Sequence, residues 1–161
     1  MPEKFDLVIQ NADIATAIDR FTCDIGIKDG IITALGASLG TAGETIDASG
    51  YLVLPGGVDA HCHLDQHGDP SIKMADDFYS GSVSAACGGT TTIIPFAAQQ
   101  KGESLLDVVE DYHQRAGDKA VIDYAFHLIV SDATPEVLDK ELPQLIKKGY
   151  TSFKIYMTDD D

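Results

Sequence analysis

Leu54-Pro55-Gly56-Gly57-Val58-Asp59-Ala60-His61-Cys62-His63 is the stretch on which both fold and chemistry turn. An apolar run from Tyr51 to Leu54 passes through two glycines and ends in two histidines one residue apart. Side chains alternate faces along a β-strand, so Asp59, His61 and His63 are expected on one face. Val58, Ala60 and Cys62 then face a neighbouring layer. Two imidazoles at the carboxyl end of a strand can hold one metal ion, and histidine ligates zinc at about 2.0–2.1 Å. Such histidines can also be ordinary strand-end residues. Asp59 in phase with them, and a lysine further on (Lys154), favour the metal.

Outward from this strand the rhythm is strand, loop, helix, strand. A loop from Leu64 to Lys73 contains Gly68, Asp69 and Pro70, and a helix is expected from near Asp76 to Ala86, stopped by Cys87-Gly88-Gly89. Thr91-Thr92-Ile93-Ile94-Pro95-Phe96 reads as a second strand. Ser104 can cap a helix whose apolar positions Leu105, Val108, Val109 and Tyr112 keep helical spacing. Ala120 to Val130 reads as a third strand. Thr134-Pro135-Glu136 starts a further helix that Pro143 is expected to kink or interrupt and Gly149 to end. Ser152 to Met157 is the fourth strand. Alternating strands and helices mean an α/β fold with a parallel sheet and right-handed crossovers, and four such units make half of a (β/α)8 barrel. In the fourth strand Phe153, Ile155 and Met157 suit the helix layer, while Ser152, Lys154 and Tyr156 face the barrel interior. A lysine there costs several kcal/mol unless it is neutralised or paired. The alternative is a strand-end lysine whose head snorkels to solvent.

Residues before the motif read differently. Asp6-Leu7-Val8-Ile9-Gln10 and Cys23-Asp24-Ile25-Gly26-Ile27-Lys28 are strand-like, and Asp29-Gly30 is a hairpin turn into Ile31-Ile32-Thr33-Ala34-Leu35. Residues 1–54 are therefore expected to form a small antiparallel sheet module, an incomplete β-sandwich, and residues 55–161 the first half of the barrel. A chain of 161 residues would ordinarily be one domain with an ample core. With no fifth to eighth strand in view, it is expected to be the N-terminal fragment of a larger protein.

Pro55 to Asp65 resembles the strand-1 motif of the dihydropyrimidinase and D-hydantoinase family of cyclic amidohydrolases. The resemblance continues through Ala75-Asp76-Asp77-Phe78, Cys87-Gly88-Gly89-Thr90-Thr91, Lys101-Gly102-Glu103-Ser104-Leu105 and Ser152-Phe153-Lys154-Ile155-Tyr156-Met157. It implies two divalent metal ions, zinc by expectation, with His61, His63 and Lys154 among the ligands. Lys154 would be carboxylated by carbon dioxide to an anionic carbamate bridging both ions. Burial favours the neutral amine that carboxylation needs, and two cations would hold the anion. Asp59 maps onto a position that orients a histidine. By the same resemblance a bridging hydroxide opens a cyclic ureide such as dihydrouracil or a hydantoin, metal lowering the pKa of bound water toward about 7. Two more histidines and a proton-shuttling aspartate belong to later strands.

Two departures bear on substrate. Relatives that bind a carboxylate place an arginine soon after the histidine pair; Leu64-Asp65-Gln66 stands here, disfavouring an anionic substrate. The family tyrosine expected five residues after the lysine, an oxyanion donor, is replaced by Asp159. His67 can meet substrate but is expected to be a solvated loop residue. His113 is expected to be structural or exposed, and His127 a hydrogen-bonded core residue. Cys62 is expected to pack and Cys87 to be a small buried residue, and Asp159, Asp160 and Asp161 to be solvated.

A net charge of −15, from 11 basic against 26 acidic residues, argues against nucleic acid or an anionic membrane as partner. No apolar run approaches a membrane span of about 18 residues, and the N-terminus lacks a signal-peptide layout. Cys23, Cys62 and Cys87 are odd in number and widely spaced, so a cytoplasmic location is expected. A homodimer or homotetramer is expected for the full-length protein. Two rival readings are a non-catalytic dihydropyrimidinase-like scaffold, which would lack the metal ligands, and an inactive truncated product.

Overall fold

Strand β1 (Leu7–Ala15) is the centre of the first of two units, Met1–Pro55 and Gly56–Asp161. The computed structural model describes residues 5–40, 42–66, 71 and 73–157. β2 (Arg20–Lys28) returns antiparallel to β1. Asp29 (φ 53°) and Gly30 (φ 75°) then make the left-handed pair of a two-residue hairpin into β3 (Ile31–Gly36). β4 (Glu44–Asp47) and β5 (Leu52–Val53) lie along the other edge of β1 and run parallel to it. The sheet is thus mixed, correcting the antiparallel expectation. β3 already runs in the direction of β1, and the chain crosses to the far edge without reversing. The described residues of this unit form one sheet.

A buried carboxylate organises the unit. β1 bulges between Ile9 and Ala12, with Asn11 at φ 56°. Asp24, 6% exposed, accepts from the Asn11 N–H and the Leu39 N–H, both at 3.0 Å. Ala12, Ile14, Ile25 and Ala48 pack as the core.

The second unit is a parallel sheet with helices on one side. In chain order its elements are β6 (Gly57–Cys62), α1 (Phe78–Cys87), β7 (Thr90–Ala98), α2 (Leu105–Gly117), β8 (Asp123–Tyr124), β9 (His127–Ile129), a π-helical turn (Val137–Glu141), α3 (Leu142–Lys147) and β10 (Phe153–Lys154). The strands lie in the order β10-β9-β7-β6, with β8 also on β7. This is the arrangement of half a (β/α)8 barrel. At its start the backbones crowd: a Cβ on Gly56 would fall 2.0 Å from Thr91 Oγ1, so only glycine fits. Gly57 N–H bonds Gly89 O at 2.9 Å.

Two expectations need correcting. The third strand, read over 120–130, is two short strands. β8 and β9 keep one register on β7, Ile93 facing Tyr124 and Phe96 facing His127. The gap falls opposite Pro95, which has no N–H to give the ladder. Pro143 sits in the first turn of α3, and the strain it would cause is taken up before it. There the Leu142 N–H reaches back five residues to Val137 O. The fourth strand pairs only over Phe153 and Lys154 and is an edge strand among the described residues, as β6 is on the other side.

Asp77 caps α1 by accepting from the N–H groups of Tyr79 and Ser80, while Ser80 Oγ takes the Asp77 N–H in return. Ser104 caps α2. Phe78, Ile93, Ala97, Tyr112, Phe126 and Leu128 fill the layer between helices and sheet. The opposite face carries a second small cluster, Phe96, Ala98 and Ile129.

Candidate functional site

Strand register brings the candidate residues onto that opposite face. Cys62 pairs with Pro95, Phe96 with His127, and Ile129 with Lys154. Alternation then turns His61, His63, Phe96, His127 and Lys154 away from the helices. Phe96, 5% exposed, is the piece around which the others stand. The His61 ring meets it edge-on at 4.8 Å between centroids, and the His63 ring stacks on it at 4.9 Å. The two imidazoles are 5.6 Å apart. His127 lies 5.2 Å from the same ring. Lys154 Nζ sits 4.4 Å from the Phe96 centroid and 5.0 Å from that of Tyr156.

The supporting bonds differ from residue to residue. Asp59 Oδ1 accepts the backbone N–H of His61 at 3.0 Å, in the stretch where the β6–β7 register shifts. It thereby fixes the strand end, and its recorded bond is to the backbone and not to the imidazole. His63 Nδ1 bonds Gln66 Oε1. His127 is fully engaged: Nε2 donates to Ala60 O at 3.0 Å, and Nδ1 accepts from Ser152 Oγ at 2.5 Å. Both ring nitrogens being committed, His127 stands as a hydrogen-bonded structural residue.

Cys62 turns toward the helix-side core. Burial, with the Asp59 charge adding to it, pushes its thiol up to about 11. Cys87 is exposed, which corrects the buried expectation. Phe78, Ser82 and Ala85 turn inward on α1, and two residues past Ala85 the helix faces out. His113, held below the usual imidazole range by burial, bonds the hydroxyls of Tyr124 and Tyr150. His67, Asp159, Asp160 and Asp161 lie outside the described residues.

Phe96, Gln66 and Ser152 were missed as site residues. Alternation from Ile94 through Phe96 to Ala98 could have placed Phe96, whereas nothing in the spacing marks Gln66. The donor set fits a divalent cation in part. Among the described residues no three His, Cys, Asp or Glu side chains gather as a metal cluster, so the set is two imidazoles and a lysine. A lysine ligates only after losing its charge.

Residues 44–138 match the model of the amidohydrolase family, and the chain belongs to that family. Within it the likeness is to D-hydantoinases and dihydropyrimidinases. The chain is 47% identical over 156 residues to the D-hydantoinase of Geobacillus stearothermophilus, covering 96% of this chain and 33% of that protein. It is 46% identical over 152 residues to the D-hydantoinase of Rhizobium radiobacter, covering 94% and 33%. Among solved structures it matches a D-hydantoinase with a TM-score of 0.91 at 45% identity, covering 97% of this chain and 34% of that one. It also matches the dihydropyrimidinase of Brevibacillus agri NCHU1002, with a TM-score of 0.87 at 41% identity, covering 96% and 33%. The chain thus spans about one third of the length of the relatives it matches. No helix among the described residues is long and apolar enough to cross a membrane.

Proposed function

We propose that this chain contributes the first part of a metal-dependent site that hydrolyses the cyclic amide bond of a neutral ureide ring, a hydantoin or a 5,6-dihydropyrimidine. The observation that carries the reading is the convergence of His61, His63 and Lys154 on one ring, Phe96, at one face of the sheet. His61 and His63 would hold the metal through imidazole nitrogens. Lys154 would join them after its neutral amine adds to carbon dioxide and loses a proton, leaving a carbamate with two ligating oxygens. Divalent ions, zinc by preference, supply the Lewis acidity that makes water a nucleophile near neutral pH. The remaining ligands would come from the part of the relatives' length that this chain does not span.

The chain's own residues then serve the reaction by position. Asp59 fixes the backbone at His61, and His127 ties Ala60 to Ser152, two residues from Lys154. No arginine stands directly after the histidine pair, where Leu64-Asp65-Gln66 is found, which suits an uncharged ring. Hydrolysis adds the water oxygen to the ring carbonyl carbon and a proton to the departing nitrogen, opening the ring to a carbamoyl amino acid. The enzyme reading is supported over a non-catalytic scaffold by the presence of all three side chains.

The test is metal content in the whole protein that carries this chain. His61→Ala and His63→Ala should each lose bound metal and ring opening together. Lys154→Ala should lose both, with short carboxylic acids and added zinc restoring part of each. A variant that keeps its full complement of metal would remove that residue from the ligand set.

A further inference from the structure

We infer that Gln66 is the positioning residue of His63, and that Arg115 of α2 holds Gln66 where it can act; this rests on the reading of His63 as a metal ligand. The chain leaves β6 through His63, and Leu64 drops into the core at 8% exposed. Asp65 then turns through φ 46°, a left-handed conformation uncommon for a residue with a side chain. That turn is held from the helix layer. Arg115 Nη1 donates to Asp65 O and lies 3.3 Å from the Asp65 carboxylate. Arg115 is itself fixed by Asp111 at 2.8 Å and by the Tyr112 ring at 4.0 Å. The Asp65 N–H bonds Asp76 O at 3.1 Å. Gln66 comes next in the chain, and its Oε1 meets His63 Nδ1.

An amide oxygen offers only lone pairs, so the imidazole proton of a neutral His63 lies on Nδ1. Nε2 is left bare, the form a metal requires. A free imidazole in water favours the opposite tautomer, which would have to be reversed before Nε2 could bind. Metal-ligating histidines usually give their second N–H to such an oxygen, and losing that partner weakens metal binding by roughly 10–100-fold. Gln66 supplies it from three residues away, and the Arg115–Asp65 contact keeps the intervening turn from swinging out.

The experiment uses the whole protein with nitrogen-15 histidine. The His63 ring shifts in the metal-free protein report the tautomer, and chelator competition reports zinc affinity. Gln66→Leu should move His63 toward the Nε2–H form and weaken zinc by roughly 10–100-fold, with the metal-free melting temperature unchanged. Gln66→Glu keeps an acceptor oxygen and should restore both. Arg115→Lys, losing the fork onto Asp65, should weaken zinc in the parent but have little further effect in Gln66→Leu. Gln66→Leu with His63 still Nδ1–H and zinc affinity intact overturns the inference, and additive effects of the two substitutions overturn the part assigned to Arg115. His63→Ala with undiminished zinc would instead overturn the reading of the site itself, whatever Gln66 does.

Discussion

Phe96 brings no reactive group, yet His61, His63, His127 and Lys154 all border its ring. A lysine over an aromatic face gains about 0.5–1 kcal/mol when exposed and about 2 when desolvated. Lys154 is half-buried, short of the fully interior position expected, and among the described residues no carboxylate pairs with it. If Phe96 sets the spacing of the ligands, Phe96→Leu should lower zinc affinity of the whole protein along with stability. Phe126→Leu, a cut of the same size on the helix side, should cost a similar roughly 0.5–3 kcal/mol and leave zinc affinity alone. Equal zinc affinities for the two variants would reduce Phe96 to packing.

Among the elements, α1 shows how local chemistry sets a boundary. The Asp77 carboxyl is held below its usual range, first by the Ser80 backbone N–H and next by Lys119. A folded-state pKa below the unfolded one gives stability that is present above the unfolded value and lost as pH falls through the folded one. The difference in melting temperature between the parent and Asp77→Asn should thus be largest near pH 7 and shrink in acid, below about pH 4. A difference that stays constant down to pH 2 would show the cap to be indifferent to charge. Both capped helices were legible to within a residue or two because Ser104 and the Asp76-Asp77 pair precede apolar spacing. The split of the third strand was not. Its own residues, Ala120 to Val130, contain no breaker; the interruption comes from Pro95 on the neighbouring strand, and one strand's sequence cannot report its partner's missing donor. The parallel edge of the first unit was hidden likewise, since β4 and β5 show strand character but not direction.

At the level of the molecule, the second unit's sheet ends in β6 on one side and β10 on the other. Val58 on the first is 62% exposed, and Ile155 and Met157 beyond the second are 66% and 91% exposed. Unpaired parallel edges with apolar side chains recruit other chains. Made as 161 residues, the protein should self-associate, and Val58→Lys should reduce it. Sedimentation showing a stable monomer at high micromolar concentration would contradict this. The histidine pair and Lys154 were readable because alternation along a strand is enough to give them a common face. Their meeting at Phe96 required the register between strands, which depends on long-range packing. One bond gives that register a further meaning. His127 stands on β9 and reaches past β7 to a carbonyl of β6, two strands away in the sheet. It acts as a chord drawn across an arc: the sheet cannot flatten without stretching it. The curvature that would let parallel strands bend round toward a closed ring is already built into a single imidazole.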